Sequence, residues 1–302
     1  MTPTGGTDGG VERLAGWMQG RVTVVLSGAG MSTESGIPDY RGPQGSLRAR
    51  KPVTYREFAQ SAENRRRYWA RSAGGWERVR GARPNAGHLA VARLESLGKI
   101  AGVITQNVDR LHQAAGSRRV IELHGALADV RCMDCGRAEA RDLLQERLRA
   151  SNPGWTFEDA EAAPDGDAEL PAESVAAFNV PGCRACGGTL KPDVIFFGEN
   201  VPAPRVAAAM RMVDEAGLLL VTGSSLAVYS GYRFAQRAAA RAIPLAIVNL
   251  GPTRADSLAQ LRIDASLGDT LSRLVAVLER KRSAESVRGP DPDGGPVGGN
   301  VV

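Results

Sequence analysis

Short apolar runs alternate with longer amphipathic stretches over most of the chain. Four runs rich in Val, Leu and Ile begin at Thr23, Ile100, Leu218 and Leu245, and each one stops at a polar or Gly-rich segment. Strands that are apolar throughout are typical of parallel sheets covered on both faces. The pattern therefore predicts an α/β fold, a Rossmann-like parallel sheet with helices on both faces.

Apolar residues at helical spacing separate these runs. They predict a first helix over residues 11–18, a helix over residues 89–97 that ends at Gly98, and a closing helix over residues 270–281. The polar stretch over residues 42–84 predicts short helices that cover the end of the sheet where a ligand would bind. Its aromatic residues recur at spacings that suit helix faces, so we expect them to pack together rather than to form a ligand cage.

The chemistry-bearing segments follow the strands. The carboxyl ends of parallel strands meet at one edge of a sheet, where open α/β sheets bind ligands. The segments expected there are Gly28-Ala29-Gly30, Gln106-Asn107-Val108-Asp109, His124-Gly125, Gly223-Ser224-Ser225 and Asn249-Leu250-Gly251. On the residues alone, Asn107 or Asp109 could equally cap the next helix, and a lone His after a strand is more often structural than catalytic.

The glycines after the first strand indicate a nucleotide site. Gly28 and Gly30 would let backbone N–H groups approach a pyrophosphate, with the positive end of a helix behind them. The dinucleotide fingerprint of reductases requires a third Gly, where this chain has Thr33, and an acidic residue about 20 positions later, which is absent. A simple tight turn is the alternative interpretation.

Two Cys-x-x-Cys pairs indicate a metal site. Cys132 and Cys135 are separated by 47 residues from Cys183 and Cys186. Four thiolates suit one structural Zn²⁺ in tetrahedral geometry. A redox dithiol is the alternative, although a second matching pair would then be a coincidence, and an iron–sulfur site is a further one.

Bulk properties narrow the class of protein. The chain has 302 residues, 43% of them hydrophobic, and a net charge of +5. The basic residues are dispersed, and Arg65–Arg67 fits a solvated helix face, so nucleic-acid binding is not favoured. No apolar run is long enough to span a membrane, and residues 1–10 fit neither a signal nor a transit peptide. We therefore expect a cytoplasmic protein and a monomer.

Taken in order, the motifs resemble those of the sirtuins, NAD-dependent protein lysine deacylases. The segments Gly28–Ser32, Gly36-Ile37-Pro38-Asp39-Tyr40-Arg41, Gln106–Asp109 and His124-Gly125 match family signatures, followed by the paired cysteines, Lys191–Glu199 and the two later Gly-containing turns. The resemblance covers about residues 12–280. Tyr40 departs from the family, most members of which carry Phe there.

The resemblance implies roles for individual residues. His124 would be the general base, aided by Asn107 and Asp109. NAD would be the co-substrate. The residues implied to bind it are Gly28, Ala29, Gly30, Ser32, Asp39, Tyr40, Arg41, Gln106, Asn107, Asp109, Gly223, Ser224, Ser225, Asn249, Leu250, Gly251 and Leu267. A substrate peptide would add as a strand between two edges, Phe197-Gly198-Glu199 and Leu226-Ala227-Val228. The residues implied to bind this substrate are Val194, Phe197, Gly198, Glu199 and Val228, of which Val194, Phe197 and Val228 would line the acyl-lysine tunnel.

The resemblance also implies how the chain is divided. A catalytic domain is expected over residues 11–282, between disordered tails at 1–10 and 283–302. Its Rossmann-like parts would be 11–41, 85–125 and 190–282, with a helical lobe at 42–84 and a zinc module at 126–189.

Two other functions remain open at this point. One is NAD-dependent mono-ADP-ribosyl transfer to proteins, and the other is a non-catalytic NAD- or zinc-dependent interaction module. Segments such as Tyr229–Arg233 and Gly251–Arg254 resemble class II sirtuins, whose acetyl-lysine activity tends to be weak. We therefore expect acyl-lysine substrates with acyl chains larger than acetyl, and Arg48 and Arg50 could meet a charged acyl end.

Overall fold

The computed structural model describes residues 7–39, 53–155 and 175–287. Its strands are β1 (Thr23–Ser27), β2 (Ile100–Thr105), β3 (Val120–Glu122), β4 (Gly125–Cys132), β5 (Ala138–Ala140), β6 (Leu190–Val194), β7 (Leu218–Thr222), β8 (Leu245–Val248) and β9 (Leu261–Ile263). Its helices are α1 (Thr7–Met18), α2 (Tyr55–Gln60), α3 (Ala62–Gly81), α4 (Ala86–Ser96), α5 (Leu111–Ala114), α6 (Arg141–Ser151), α7 (Ala203–Asp214), α8 (Tyr229–Ala240) and α9 (Leu267–Val287).

Six strands form one parallel sheet in the order β3-β2-β1-β7-β8-β9. The order reverses at β1, because β2 and β3 extend the sheet on one side of it, whereas β7 to β9 extend it on the other. Such a reversal opens a crevice beyond the carboxyl ends of the strands. The expected α/β fold is confirmed. The strand order reverses between β1 and β7, and at this switch point Gly28 follows β1 and Gly223 follows β7.

Alternate residues of each strand face opposite layers of helices. Val25, Leu220 and Val248 pack in one core with α1, α4 and α9. Leu26, Leu219 and their neighbours pack in a second core with α7 and α8. Because both faces are covered, each strand is apolar throughout, as the sequence pattern indicated.

Three further strands form a small antiparallel sheet in the order β5-β4-β6. Aromatic residues of α2 and α3 pack against it together with α6. The core of this region contains Phe58, Tyr68, Trp69, Trp76, Leu144, Phe178 and Leu190. The prediction that these aromatics pack together is confirmed. Instead of only short helices, however, α3 is a single helix of 20 residues.

Several element boundaries differ from the sequence expectation. Helix α1 begins at Thr7 and α9 ends at Val287, so both helices extend into the predicted tails. In α4 the expected apolar face included Leu89, which is 54% exposed, whereas His88 on the neighbouring face is buried. A histidine counts as polar in the sequence pattern, but this ring packs against the ring of His112 in the interior. None of the described helices is both long and apolar enough to cross a bilayer.

Candidate active site

A cavity of about 870 Å³ lies at the carboxyl ends of the parallel strands. The segments after β1, β2, β7 and β8 line it, as expected for an open α/β sheet. Most of the predicted cofactor, substrate and catalytic residues line this cavity. They are Gly28, Ala29, Gly30, Ser32, Asp39, Gln106, Asn107, Asp109, His124, Val194, Phe197, Gly198, Glu199, Gly223, Ser224, Ser225, Val228, Asn249, Leu250 and Gly251.

Three predicted residues are not among the described residues that line the cavity. Leu267 is buried in the core beside the sheet, and its Cδ1 would lie 2.6 Å from a Cβ placed on Gly223. Its side chain therefore packs behind the Gly223 turn and does not line the cavity. Tyr40 and Arg41 lie outside the described residues, as do Arg48 and Arg50.

The two glycines after β1 are required by a close crossing with the end of β7. The N–H of Gly28 donates to the carbonyl of Thr222 at 3.1 Å, and that of Gly30 donates to Gly223 at 2.8 Å. A Cβ on Gly28 would lie 2.6 Å from the Cβ of Ser224. These N–H groups were expected to face a phosphate. The structure instead uses them to join two neighbouring strand ends, and single 3₁₀ turns replace the expected helix.

A polar network fixes the side chains that follow β2. The amide of Asn107 donates to the Gly28 carbonyl and to Ser32 Oγ, both at 3.0 Å. Ser32 Oγ donates in turn to Asp109 Oδ2 at 2.6 Å, and the other oxygen of Asp109 accepts from the backbone N–H of Leu111 at 2.9 Å. Asp109 thus both accepts from the first N–H of α5, although the N-cap residue itself is Arg110, and lines the cavity, so the structural and the functional interpretation of this residue are compatible.

His124 lies between β3 and β4 with both ring nitrogens engaged. Its Nδ1 is 2.9 Å from the carbonyl oxygen of Gln106, and its Nε2 is 2.9 Å from Ser230 Oγ. A carbonyl can only accept, so Nδ1 carries the hydrogen and Nε2 presents a lone pair. Burial lowers the pKa of His124 to about 4, with further lowering by the charges of Arg205 and Arg233. The ring is therefore neutral near pH 7.

The other two histidines are structural. His88 and His112 are buried with their rings 5.0 Å apart, and His112 Nε2 lies 2.9 Å from Ser27 Oγ. Burial lowers the pKa of His88 to about 4 and that of His112 to about 3. Neither lines the cavity, which agrees with the expectation that they do not compete with His124.

The predicted peptide edge after β6 is already partly used. The carbonyl of Phe197 accepts from the N–H of Tyr55 at 2.9 Å. Glu199 accepts from the N–H of Phe196 at 2.9 Å and pairs with Lys191 Nζ at 3.0 Å. The side chain of Glu199 therefore stabilises its own turn, and the segment offers a substrate its remaining backbone groups.

The four cysteines converge at the end of the small sheet. Their sulfurs all lie within 4.8 Å of one another. Cys132 Sγ is 3.6 Å from Cys186 Sγ, and Cys135 Sγ is 3.7 Å from Cys183 Sγ. A tetrahedral Zn²⁺ with Zn–S bonds of about 2.3 Å requires sulfurs about 3.8 Å apart, so the donor set fits this ion.

The two cysteine pairs have the same local structure. Each pair is followed by a glycine with a φ of 73°, Gly136 in one and Gly187 in the other. The N–H of that glycine donates to the carbonyl of the first cysteine, at 3.0 Å for Cys132 and 2.8 Å for Cys183. The left-handed glycine turns the chain back, so both sulfurs of a pair face one point.

Comparison with known proteins decides the family. The sequence profile described as the Sir2 family matches residues 28–230. The chain belongs to the Sir2 family. It is 54% identical over 240 residues to NAD-dependent protein deacetylase 2 of Bradyrhizobium diazoefficiens, covering 80% of this chain and 88% of the relative. It is 49% identical over 251 residues to NAD-dependent protein lipoamidase sirtuin-4, mitochondrial, of Bos taurus, covering 82% of this chain and 80% of the relative.

A solved structure of a Sir2 protein with a p53 peptide and NAD⁺ is 31% identical, with a TM-score of 0.71, and covers 90% of this chain and 98% of that chain. This sirtuin is an NAD-dependent protein deacetylase, and the function predicted from the motifs is confirmed. The alternative of a non-catalytic module is therefore wrong. The four-cysteine cluster is consistent with a structural zinc.

Ser230 and Arg233 are among the cavity residues that were not predicted as site residues from the sequence. Ser230 and Arg233 both line the cavity from the first turns of α8. In the sequence, the segment Tyr229–Arg233 shows only its class II resemblance. The signal that could have found them is their place directly after Val228, because a helix that begins at a predicted substrate edge presents its first turn to the same site.

Proposed function

We propose that His124 is the general base of the deacylation. The observation that carries the proposal is the orientation of its ring, whose Nδ1–H is held by Gln106 so that Nε2 accepts on the cavity side. A neutral imidazole can take the proton of a ribose hydroxyl, so that the ribose oxygen attacks the acyl carbon. Burial lowers the pKa of His124, so the ring is unprotonated and its Nε2 lone pair is free to accept a proton in the neutral range.

We propose that the nicotinamide half of NAD lies beside Asn107, Asp109 and His124. The Asn107–Ser32–Asp109 hydrogen bonds would hold these groups in one orientation, as catalysis by positioning requires. By resemblance, Asp39 would hold the nicotinamide amide and Arg41 would face phosphate. The adenosine half would lie along Ser224, Ser225 and the turn that begins at Asn249.

We infer that the acyl group leaves the lysine as an ester of ADP-ribose. A related Sir2 structure, 30% identical with a TM-score of 0.71, contains a deacetylated p53 peptide and 3'-O-acetyl ADP ribose. The ribose oxygen that His124 would activate is the atom that receives the acyl group in such a product. NAD supplies the sugar, and the residues of this chain bind, orient and deprotonate it.

We propose further that this sirtuin prefers acyl groups larger than acetyl. The cavity side of the predicted tunnel carries Val194 and Phe197, with Leu127 and Val201 nearby in the same lining. Each CH₂ group buried among apolar side chains contributes about 0.8 kcal/mol, or roughly fourfold in binding. The relative from Bos taurus, named a lipoamidase, supports the same direction.

One set of assays tests both the deacylation reaction and the proposed preference for larger acyl groups. The protein is incubated with NAD and one peptide that carries acetyl, butyryl, a branched acyl, glutaryl or a long-chain acyl group, and kcat/KM is measured by nicotinamide release. We expect acetyl to rank below an uncharged longer or branched chain. Acetyl ranking first by about tenfold would contradict the preference, since one buried CH₂ alone predicts the opposite order.

The same assays address the alternative of mono-ADP-ribosyl transfer. Transfer to protein would release nicotinamide without an acyl peptide and would label the acceptor protein with ADP-ribose. We expect release to depend on the acyl peptide. The partners we propose are acyl-lysine proteins in the cytoplasm. We also propose that the protein acts as a monomer, and a measurement of its molecular mass in solution tests this oligomeric state.

A further inference from the structure

Ser230 and His124 form a hydrogen-bonded pair inside the cavity. The Oγ of Ser230 is 2.9 Å from Nε2 of His124, and the two residues are 106 positions apart in the chain. The carbonyl of Gln106 holds the hydrogen on Nδ1, so the Ser230 hydroxyl donates to the lone pair of Nε2. Both side chains line the cavity and can reach a bound ligand.

This arrangement is that of an activated nucleophile. A hydroxyl within hydrogen-bond reach of a neutral imidazole, whose other nitrogen is oriented by a third group, can give up its proton as its oxygen attacks. In serine hydrolases a carboxylate orients the histidine, and here the Gln106 carbonyl takes that position. Ser230 is also the second residue of α8, where the helix dipole favours a developing negative charge.

Arg233 supplies a positive group at the same place. It follows Ser230 by about one helical turn and lines the cavity. Its Nε is buried and has no hydrogen-bond partner within the described part of the chain, and its guanidinium lies 5.1 Å from the ring of Tyr229. A guanidinium that lines the cavity about one helical turn from a nucleophile can stabilise the oxyanion that forms when a carbonyl is attacked.

The ester proposed above as the product of deacylation would be formed next to these groups. We propose that Ser230, with His124 as its base and Arg233 near the oxyanion, hydrolyses the acyl ester of ADP-ribose to free ADP-ribose and a carboxylate. The inference rests on the proposed function, since it takes that product as its substrate. The acid released would be the acyl group that was removed from lysine.

The reaction proceeds by two balanced steps. First, the hydroxyl proton of Ser230 passes to Nε2 of His124 while Oγ bonds to the ester carbonyl carbon. The bond from that carbon to the ribose oxygen breaks, the oxygen takes the proton from Nε2, and ADP-ribose leaves. Second, water gives a proton to Nε2, its oxygen bonds to the acyl carbon, and Oγ leaves and recovers the proton. One ester and one water give ADP-ribose and one carboxylic acid.

The two uses of His124 exclude each other at any moment. A single lone pair on Nε2 can accept from the ribose hydroxyl or from Ser230, but not from both. Deacylation therefore needs Ser230 to turn away, and ester hydrolysis begins when it turns back after the acyl group has reached the sugar.

The test supplies the ester directly. Purified O-acetyl-ADP-ribose is incubated with the full-length protein without NAD or peptide, and ADP-ribose and acetate are quantified against buffer alone. We expect the wild-type protein to accelerate hydrolysis by roughly 10²-fold and the Ser230→Ala variant to show the buffer rate. The Ser272→Ala variant, which alters an exposed serine of α9, serves as the matched control and should behave as the wild type.

A second measurement does not depend on any variant. Acid-quenched wild-type protein is digested and its peptides are weighed, and we expect one acetyl group on the peptide that contains Ser230 at early times. No acceleration by the wild type, or Ser230→Ala as fast as the wild type, would overturn the proposal. Nicotinamide release from NAD and an acetyl peptide is measured separately, so a failure of deacylation is distinguished from a failure of ester hydrolysis.

Discussion

The two sheets of this sirtuin are stabilised in different ways. The six-stranded parallel sheet is filled by buried apolar residues on both faces and covered by helices. The small antiparallel sheet includes a strand of only three residues, Ala138–Ala140, whose first and last residues are exposed. Four cysteines lie at one end of this sheet, and aromatic side chains of α2 and α3 supply much of its core. We therefore expect apolar burial to suffice for the first sheet, and the second to depend also on the helices α2 and α3 and on the zinc that its cysteines fit.

Removing one thiol should break the small sheet while the large one remains. We expect Cys135→Ala to abolish zinc binding and to give poorly folded protein, because a structural zinc contributes on the order of 10 kcal/mol to folding. Metal content and soluble yield measure the effect. Met133→Ala, in the same turn but with all four thiols kept, is the control. Metal-free Cys135→Ala protein with normal folding would contradict the contrast between the sheets.

Substitution at the end of the large sheet should instead affect chemistry. We expect His124→Ala to lower deacylation by about 10²–10⁴ and to leave NAD binding nearly unchanged, because a positioned base contributes that much to the rate. Nicotinamide release and NAD titration measure the two quantities. Near wild-type turnover in this variant would remove His124 from the mechanism.

A single methyl group tests the crossing at the switch point. We expect Gly28→Ala to lower the free energy of unfolding by about 1–3 kcal/mol and to weaken NAD binding, since the new Cβ would lie 2.6 Å from the Cβ of Ser224. Gly16→Ala is the matched control. Gly16 lies in α1, and a Cβ added there would meet nothing within 4 Å, so alanine should stabilise the protein by about 0.5–1 kcal/mol. Urea unfolding measures both, and equal effects would contradict the close crossing.

The buried histidines predict a pH-dependent stability. The pKa of His112 is lowered from 6.5 to about 3 by burial. Between these values the unfolded state binds a proton that the folded state does not, so stability is full above 6.5 and falls as the pH is lowered. The slope is about 1.4 kcal/mol per pH unit for each such histidine.

Unfolding by urea over a pH series measures that slope. His112→Gln should reduce the slope by the contribution of one proton, about 1.4 kcal/mol per pH unit, because one titrating group is removed. His88 and His124 should maintain the remainder, since burial lowers the pKa of each to about 4. A slope unchanged by His112→Gln would show that the pKa of His112 is the same in the folded and the unfolded protein.

Most of the fold was predictable because its signals are local. The strands at Thr23, Ile100, Leu218 and Leu245 were indicated by runs of adjacent apolar residues, and in the structure each of these strands begins at the expected residue. Short strands such as β9 were not predicted, because three residues carry too little pattern to separate from a loop. The predicted buried face of α4 was partly wrong, since the buried residue near its start is a histidine, which counts as polar in the pattern.

The sequence by itself determined the family, the reaction and the metal-binding cysteines, because these depend on residue types at short, fixed spacings. Only the tertiary structure decided which distant groups meet. Gly28 needs to be glycine because Ser224 crosses it, and Nε2 of His124 meets Ser230 rather than solvent. Contacts between residues about 100 or 200 positions apart depend on how strands and helices pack, and a local pattern carries no information about that packing.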